Sequence, residues 1–203
     1  MHPTKLLTRR VCTGVAALAV SLGGALGALV VVASPASADT IPVTNTNDDG
    51  TTNSLRYVLE HATDGDVVVL TADATYSLNC VQGGDINIAA AVTIDGNGAT
   101  IEQTCADRVL STQSALTLNA VTITGGNVDG TGGGLWEDST ATVELDGVTF
   151  TGNTATGSGG AVATAGDLSV TDSTFNDNHE TGGNGGAIKV LSDTRGECAE
   201  APD

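Results

Sequence analysis

The octet Leu116-Thr-Leu-Asn-Ala-Val-Thr-Ile123 recurs as Val143-Glu-Leu-Asp-Gly-Val-Thr-Phe150 and as Leu168-Ser-Val-Thr-Asp-Ser-Thr-Phe175. Within each copy, apolar residues alternate with Thr, Glu, Asp, Asn or Ser at a period of two. This pattern is typical of strands with one buried face and does not fit a helix. The copies end 27 and 25 residues apart. The chain therefore contains an internal repeat of about 26 residues.

A second element recurs between the octets. It has a glycine pair, a small third residue and an aliphatic fourth, as Gly132-Gly-Gly-Leu135, Gly159-Gly-Ala-Val162 and Gly185-Gly-Ala-Ile188. Because glycine adopts positive φ without a steric penalty, each glycine pair predicts a corner of the chain. These elements are 27 and 26 residues apart, so they share the period of the octets.

Short strands repeating at this period predict an all-β fold, a right-handed parallel β-helix (solenoid) of about five coils with a short N-terminal capping helix. Successive coils stack with about 4.8 Å between strands, so equivalent apolar residues lie above one another. We expect Ile123, Phe150 and Phe175 to form such a core stack. The chain has two Phe, two Tyr and one Trp, which agrees with a narrow aliphatic core.

An asparagine follows each octet, at Asn127, Asn153 and Asn178. Asparagine tolerates the left-handed backbone conformation, and its amide can bond to an equivalent amide one coil away. We therefore expect these residues to form a structural turn ladder; a ladder of ligand-binding groups is the alternative.

These elements are similar to the repeats of polymorphic outer-membrane proteins. Phe150-Thr-Gly-Asn153 and Phe175-Asn-Asp-Asn178 resemble the FxxN element, and the second and third glycine elements resemble GGA[I/L/V]. The first copy departs from both: Ile123 to Asn127 is one residue longer and starts with Ile, and Gly134 replaces the alanine. The resemblance implies a right-handed parallel β-helix, exported and often surface-associated, with adhesion or cell-envelope roles.

The segment from Val43 to Gly50, followed by Ser54-Leu55-Arg56, resembles the N-terminal region of secreted bacterial β-helix proteins of the CSLREA type. We predict that residues 39–80 form an N-terminal cap and the first strands. Asn53 or Ser54 can cap a short helix, whose Leu55, Val58, Leu59 and Ala62 then share one face.

Residues 1–38 have the features of a signal peptide. Three basic residues precede the apolar stretch 11–33, and Ala36-Ser-Ala38 offers the small residues of a cleavage site. A permanent membrane anchor is the alternative, because the stretch is long enough to cross a bilayer. Cleavage near Ala38 predicts a secreted or cell-surface protein.

The clear repeats lie in the predicted coil region, residues 81–191. Residues 192–203 have no apolar alternation, so we predict a disordered or truncated tail. A coil that stops there would leave strand edges open. We expect either a longer reading frame or self-association through the open C-terminal coil.

Three cysteines follow the predicted cleavage site, namely Cys80, Cys105 and Cys198. Cys80 and Cys105 are about one coil apart, so stacking can bring them together, and we predict a disulfide between them. A metal site is the rival interpretation, but no histidine or C-x-x-C motif accompanies these cysteines. The sequence predicts no cofactor.

Acidic residues dominate the charge. Loss of the three basic residues of the signal peptide takes the formal net charge from −17 to about −20. Such a surface repels phosphate backbones, so nucleic acid is excluded as a partner. An extracellular protein or a glycan remains as the partner class.

An extracellular polysaccharide lyase or glycoside hydrolase acting on acidic glycans is the alternative function. That chemistry needs paired carboxylates, or calcium-binding acids with a base. Trp136, the single tryptophan, is either a sugar platform or a partly buried coil residue. The acids are scattered along the repeats, at Asp107, Asp129, Asp138, Asp146, Asp167, Asp172 and Asp177. The sequence therefore favours an exported, non-catalytic, adhesin-like scaffold.

Overall fold

The computed structural model describes residues 38–191, which form three long parallel sheets and one short one. Sheet A contains, in stacking order, Thr40–Val43, Val67–Leu70, Val92–Asp95, Leu116–Asn119, Val143–Asp146 and Leu168–Thr171. Sheet B contains Thr75–Leu78, Thr100–Gln103, Thr122–Thr124, Thr149–Thr151 and Thr174–Asn176. Sheet C contains Ile86–Ile88, Leu110–Thr112, Leu135–Glu137, Val162–Thr164 and Ile188–Val190. The short sheet D contains Asn127–Val128, Thr154–Ala155 and His179–Glu180.

The chain passes through sheets A, B and C in turn and then begins the next coil. This path confirms the parallel β-helix that the repeat predicts. The six strands of sheet A mark about six turns instead of about five. The additional turn arises because Thr40–Val43 pairs in parallel with Val67–Leu70 and so extends the sheet into the cap region.

The octets stack residue by residue. Val143 pairs with Leu116 below it and with Leu168 above it. The alternating side chains Val143 and Leu145 point inward and are buried, whereas Glu144 between them is exposed. One face of each strand therefore contributes to a continuous aliphatic core.

The predicted core stack lies in sheet B. Phe150 is paired with Ile123 on one side and with Phe175 on the other. The two phenyl rings are stacked, with centroids 5.4 Å apart and an interplanar angle of 1°. Ile123 and Phe150 are fully buried, while Phe175 is half-buried in the last described coil. A Cβ on Gly134 would lie 2.7 Å from the Phe150 ring, so this glycine makes room for the ring.

The N-terminal helix spans Leu55–His61, as predicted, and lies against the first strands of sheets A and C. It begins after Ser54, whose hydroxyl accepts a hydrogen bond from the Tyr57 amide at 3.4 Å. Leu55 and Leu59 are buried in the core, so the helix covers the end of the solenoid. A short 3₁₀ helix spans Cys80–Gln82.

The predicted signal peptide, apart from Ala38, and the predicted tail, residues 192–203, lie outside the described residues. Among the described residues, no helix is long and apolar enough to cross a membrane.

Candidate functional site

The outer face of sheet C carries one row of side chains that point away from the core. Its members are in register from coil to coil, in the order Asn87, Ser111, Trp136, Ala163 and Lys189. Trp136 therefore lies between two small residues, Ser111 and Ala163. The indole is half-buried, and no bulky side chain neighbours it within the row.

A groove of about 250 Å³ lies over the first three members of this row, Asn87, Ser111 and Trp136. Eight residues from three successive coils line it, namely Asp85, Asn87, Arg108, Ser111, Thr112, Gln113, Trp136 and Asp138. Asp85 and Arg108 precede their strands and close one end of the groove. Gln113 and Asp138 directly follow theirs and close the other end. We call this surface the sheet C groove.

Arg108 is fixed at its end of the groove by several groups. Its Nη1 lies 3.6 Å from the Asp85 carboxylate, and its Nε and Nη2 donate to the carbonyl oxygens of Gly132 and Thr131 at 3.2 and 2.9 Å. The Asp107 carboxylate accepts from the backbone amides of Asp85 and Arg108 at 3.4 and 2.8 Å. This end of the groove is therefore held in one arrangement before any ligand arrives.

The two carboxylates of the groove lie at opposite ends of it. Asp85 and Asp138 are four residues apart along the strand direction and two coils apart across it. Strand rise and strand spacing place their backbones about 16 Å apart, and two aspartate side chains pointing at each other would still leave about 11 Å between their carboxyl groups. Glycosidases hold their two carboxyl groups about 5–9.5 Å apart. The groove has the donors, acceptors and aromatic surface for a hydroxyl-rich ligand, but these two aspartates do not form a hydrolytic pair.

Glu137 is a fully buried carboxylate that sequence reasoning missed. One oxygen accepts from the backbone amide and the hydroxyl of Ser139, the former at 2.6 Å. The other accepts from the Thr164 hydroxyl at 2.7 Å and from the amides of Ala165 and Gly166 at 3.2 and 2.9 Å. Burial raises the pKa of Glu137, but these hydrogen bonds outweigh burial and hold the pKa below its usual value. The sequence signal for this burial is strand alternation: Trp136 points outward, so its neighbour Glu137 points inward.

Replacing Glu137 by glutamine is expected to destabilise the fold more at neutral than at acid pH. The amide nitrogen of glutamine would face N–H donors, which costs about 1–3 kcal/mol at pH 7. Since the folded pKa is lowered, the carboxylate stabilises the fold above the ordinary glutamate pKa of about 4.3, and this contribution is lost as pH falls through the folded value. Urea unfolding at pH 7 and pH 3.5 measures the difference, with exposed Glu144→Gln as control. An equal loss at both pH values would contradict this role.

The segment from Asn45 to Thr51, within the CSLREA-like region, is an Asx-rich turn. Asn45 Nδ2 donates to both oxygens of Asp49 at 3.1 Å, and the Asp49 carboxylate accepts from the Thr51 amide at 3.1 Å. The hydrogen bonds from Thr51 and Asn45 lower the pKa of Asp49. Within residues 38–191 no three His, Cys, Asp or Glu side chains are grouped as metal ligands would be.

The asparagine ladder has two members in place of three. Asn153 Nδ2 donates to the Asn178 side-chain oxygen at 3.0 Å and to the Ile123 carbonyl at 3.0 Å. Asn178 Nδ2 donates to the Phe150 carbonyl at 2.9 Å.

The prediction for Asn127 is wrong. Asn127 pairs with Thr154, one position beyond Asn153, and is exposed. The connection after Ile123 is one residue longer, so Gly126 occupies the ladder position and its amide donates to Asn153 Oδ1 at 3.0 Å. The buried Asn153 and the half-buried Asn178 both donate to backbone carbonyls, which is a structural role.

The predicted disulfide is confirmed between Cys80 and Cys105, whose Cα atoms are 5.9 Å apart. It joins two successive coils at the corner between sheets B and C, where later coils have strands of sheet D. A bridge that closes 25 residues stabilises the fold by about 3 kcal/mol in the loop-entropy model. Asp85 and Arg108 follow the two cysteines closely, so the bridge also fixes one end of the groove.

Comparison with known proteins finds no match, since no protein-family model, no curated protein and no solved structure matches the chain.

Proposed function

We propose that this chain is an exported, non-catalytic β-helix scaffold that makes adhesin-like contacts with glycans or proteins outside the cell. The features of residues 1–38 support export to the cell surface or the medium. The formal net charge of −17 supports contact with partners other than nucleic acid. The resemblance to polymorphic outer-membrane protein repeats and to the CSLREA-type region supports a surface role.

The sheet C groove is the observation that carries this proposal. It places one tryptophan and several hydrogen-bonding side chains on the outer face of a parallel sheet. Its two carboxylates are too far apart for the two-carboxylate mechanism. This arrangement favours binding over hydrolysis.

A lyase or hydrolase of acidic glycans is the second candidate, and Trp136 in an open groove is the observation in its favour. Arg108 would have to serve as the base of a lyase, but its guanidinium is occupied by Asp85 and by two carbonyl groups. This engagement makes proton abstraction by Arg108 unfavourable.

Incubation of the purified protein with polygalacturonate and neutral polysaccharides, with and without calcium, separates the two candidates. We expect binding to a glycan or to a cell surface without new reducing ends or unsaturated products. Turnover of any substrate would overturn the non-catalytic proposal.

A further inference from the structure

The size of the sheet C groove restricts its ligand. About 250 Å³ lies just below the range of about 300–1,000 Å³ that is typical of pockets for drug-sized ligands. The groove is also open to solvent. It therefore suits one ring of a longer chain that continues along the sheet.

Trp136 provides the apolar contact for such a ring. Ser111 and Ala163 flank it in the row, and Trp136 is the one large apolar side chain among the groove residues. Indole surfaces are large and rigid, and they combine an apolar face with one N–H donor. The C–H face of a sugar ring buries apolar area against such a surface, and its hydroxyls then point at the groove walls.

The polar walls match hydroxyl groups better than carboxylates. Asn87 and Gln113 carry neutral donors and acceptors, and Asn87 Nδ2 also donates to the hydroxyl of the buried Ser111 at 3.3 Å. Asp85 and Asp138 add acceptors for hydroxyl protons and repel an anionic ring. Arg108, the single cation of the groove, is already engaged by Asp85. A uronate would thus meet an unpaired Asp138 with no available counter-charge.

The groove is also preorganised. The Cys80–Cys105 bridge and the Asp107 hydrogen bonds fix the segments that carry Asp85 and Arg108. Strand pairing fixes Asn87, Ser111 and Trp136. A preformed site loses little conformational entropy when it binds a ligand.

From these observations we infer that the sheet C groove binds an uncharged saccharide, with one pyranose ring stacked on Trp136. This inference rests on the proposed function and assigns its contact site and ligand class. An enzyme that acts on acidic glycans, the alternative function, would need the opposite ligand preference.

The test uses the single tryptophan as a probe, because its fluorescence reports on this groove alone. The purified protein is titrated with neutral hexasaccharides of glucose, galactose and mannose, and with galacturonate hexasaccharide as the anionic counterpart of the galactose series. We expect at least one neutral series to change the emission and to bind at least about tenfold tighter than the galacturonate hexamer.

Variants locate the contact by calorimetry. Trp136→Ala is expected to weaken binding at least about tenfold, as is usual for a central aromatic contact. Exposed Ser169→Ala, on the outer face of sheet A, should leave binding unchanged. Asp138→Asn should raise the affinity for galacturonate hexasaccharide. Circular dichroism and melting temperature verify that each variant is folded.

The outcomes distinguish this inference from the function on which it rests. Absence of neutral saccharide binding, tighter galacturonate binding, or full binding by folded Trp136→Ala would each overturn the groove assignment. If Trp136→Ala still binds glycans or cells, the scaffold function remains supported, but its contact surface lies outside the groove. Product formation would overturn the scaffold function itself.

Discussion

Replacing Phe150 by alanine is expected to lower the free energy of unfolding by about 3–5 kcal/mol. Phe150 is fully buried between Ile123 and Phe175, and its ring occupies the space left by Gly134. The neighbouring coils are held by backbone hydrogen bonds and cannot close the cavity without breaking register. Urea unfolding followed by circular dichroism measures the loss.

Phe175→Ala is the matched control, since it removes the same ring one coil away. Phe175 is half-buried, so its loss removes less buried apolar area and should cost less than half as much. Equal losses for the two variants, or a Phe150→Ala variant as stable as the parent, would show that the assigned inside-outside register of sheet B is incorrect.

The sequence predicts the coil architecture well because the repeat is itself the structural unit. Octets that align in sequence are the strands that stack in space, as Leu116, Val143 and Leu168 show. Each residue of a repeat inherits its environment from its equivalent one coil away. A single extra residue breaks this correspondence after Ile123: Asn127 matches Asn153 in residue type, whereas Gly126 matches it in position.

The candidate site was less predictable because its residues come from three coils and from the ends of strands. Trp136 could be singled out by its rarity. Asp85 and Arg108 are 23 residues apart and become neighbours through stacking of segments that belong to no repeated element. Glu137 resembles any other acid in an acidic chain, and its burial follows from the alternation within a strand of three residues.

The second large effect is expected at the buried ion pair between Arg56 and Asp48. Their side chains are 4% and 2% exposed, and Arg56 Nε and Nη2 donate to the two carboxylate oxygens at 2.8 and 2.9 Å. Arg56 also donates to the carbonyls of Gly84 and Asp85 at 2.7 and 2.6 Å. The Asn79 amide donates to Asp48 at 2.9 Å. The pair thus joins the cap helix, the Asx-rich turn and the segment that leads into the groove.

Arg56→Met and Asp48→Asn are each expected to destabilise the protein by about 3–5 kcal/mol, because each leaves one buried charge without its partner. The double variant should cost less than the two single losses combined, with a coupling of about 1–3 kcal/mol in a double-mutant cycle. Glu60→Gln is the control: Glu60 lies 3.7 Å from Arg56 but is 39% exposed, so its loss should cost at most about 1 kcal/mol. Denaturant unfolding of the four variants gives the comparison. Additive single losses would mean that the two charges do not stabilise each other, and that each side chain acts only through its hydrogen bonds to the backbone.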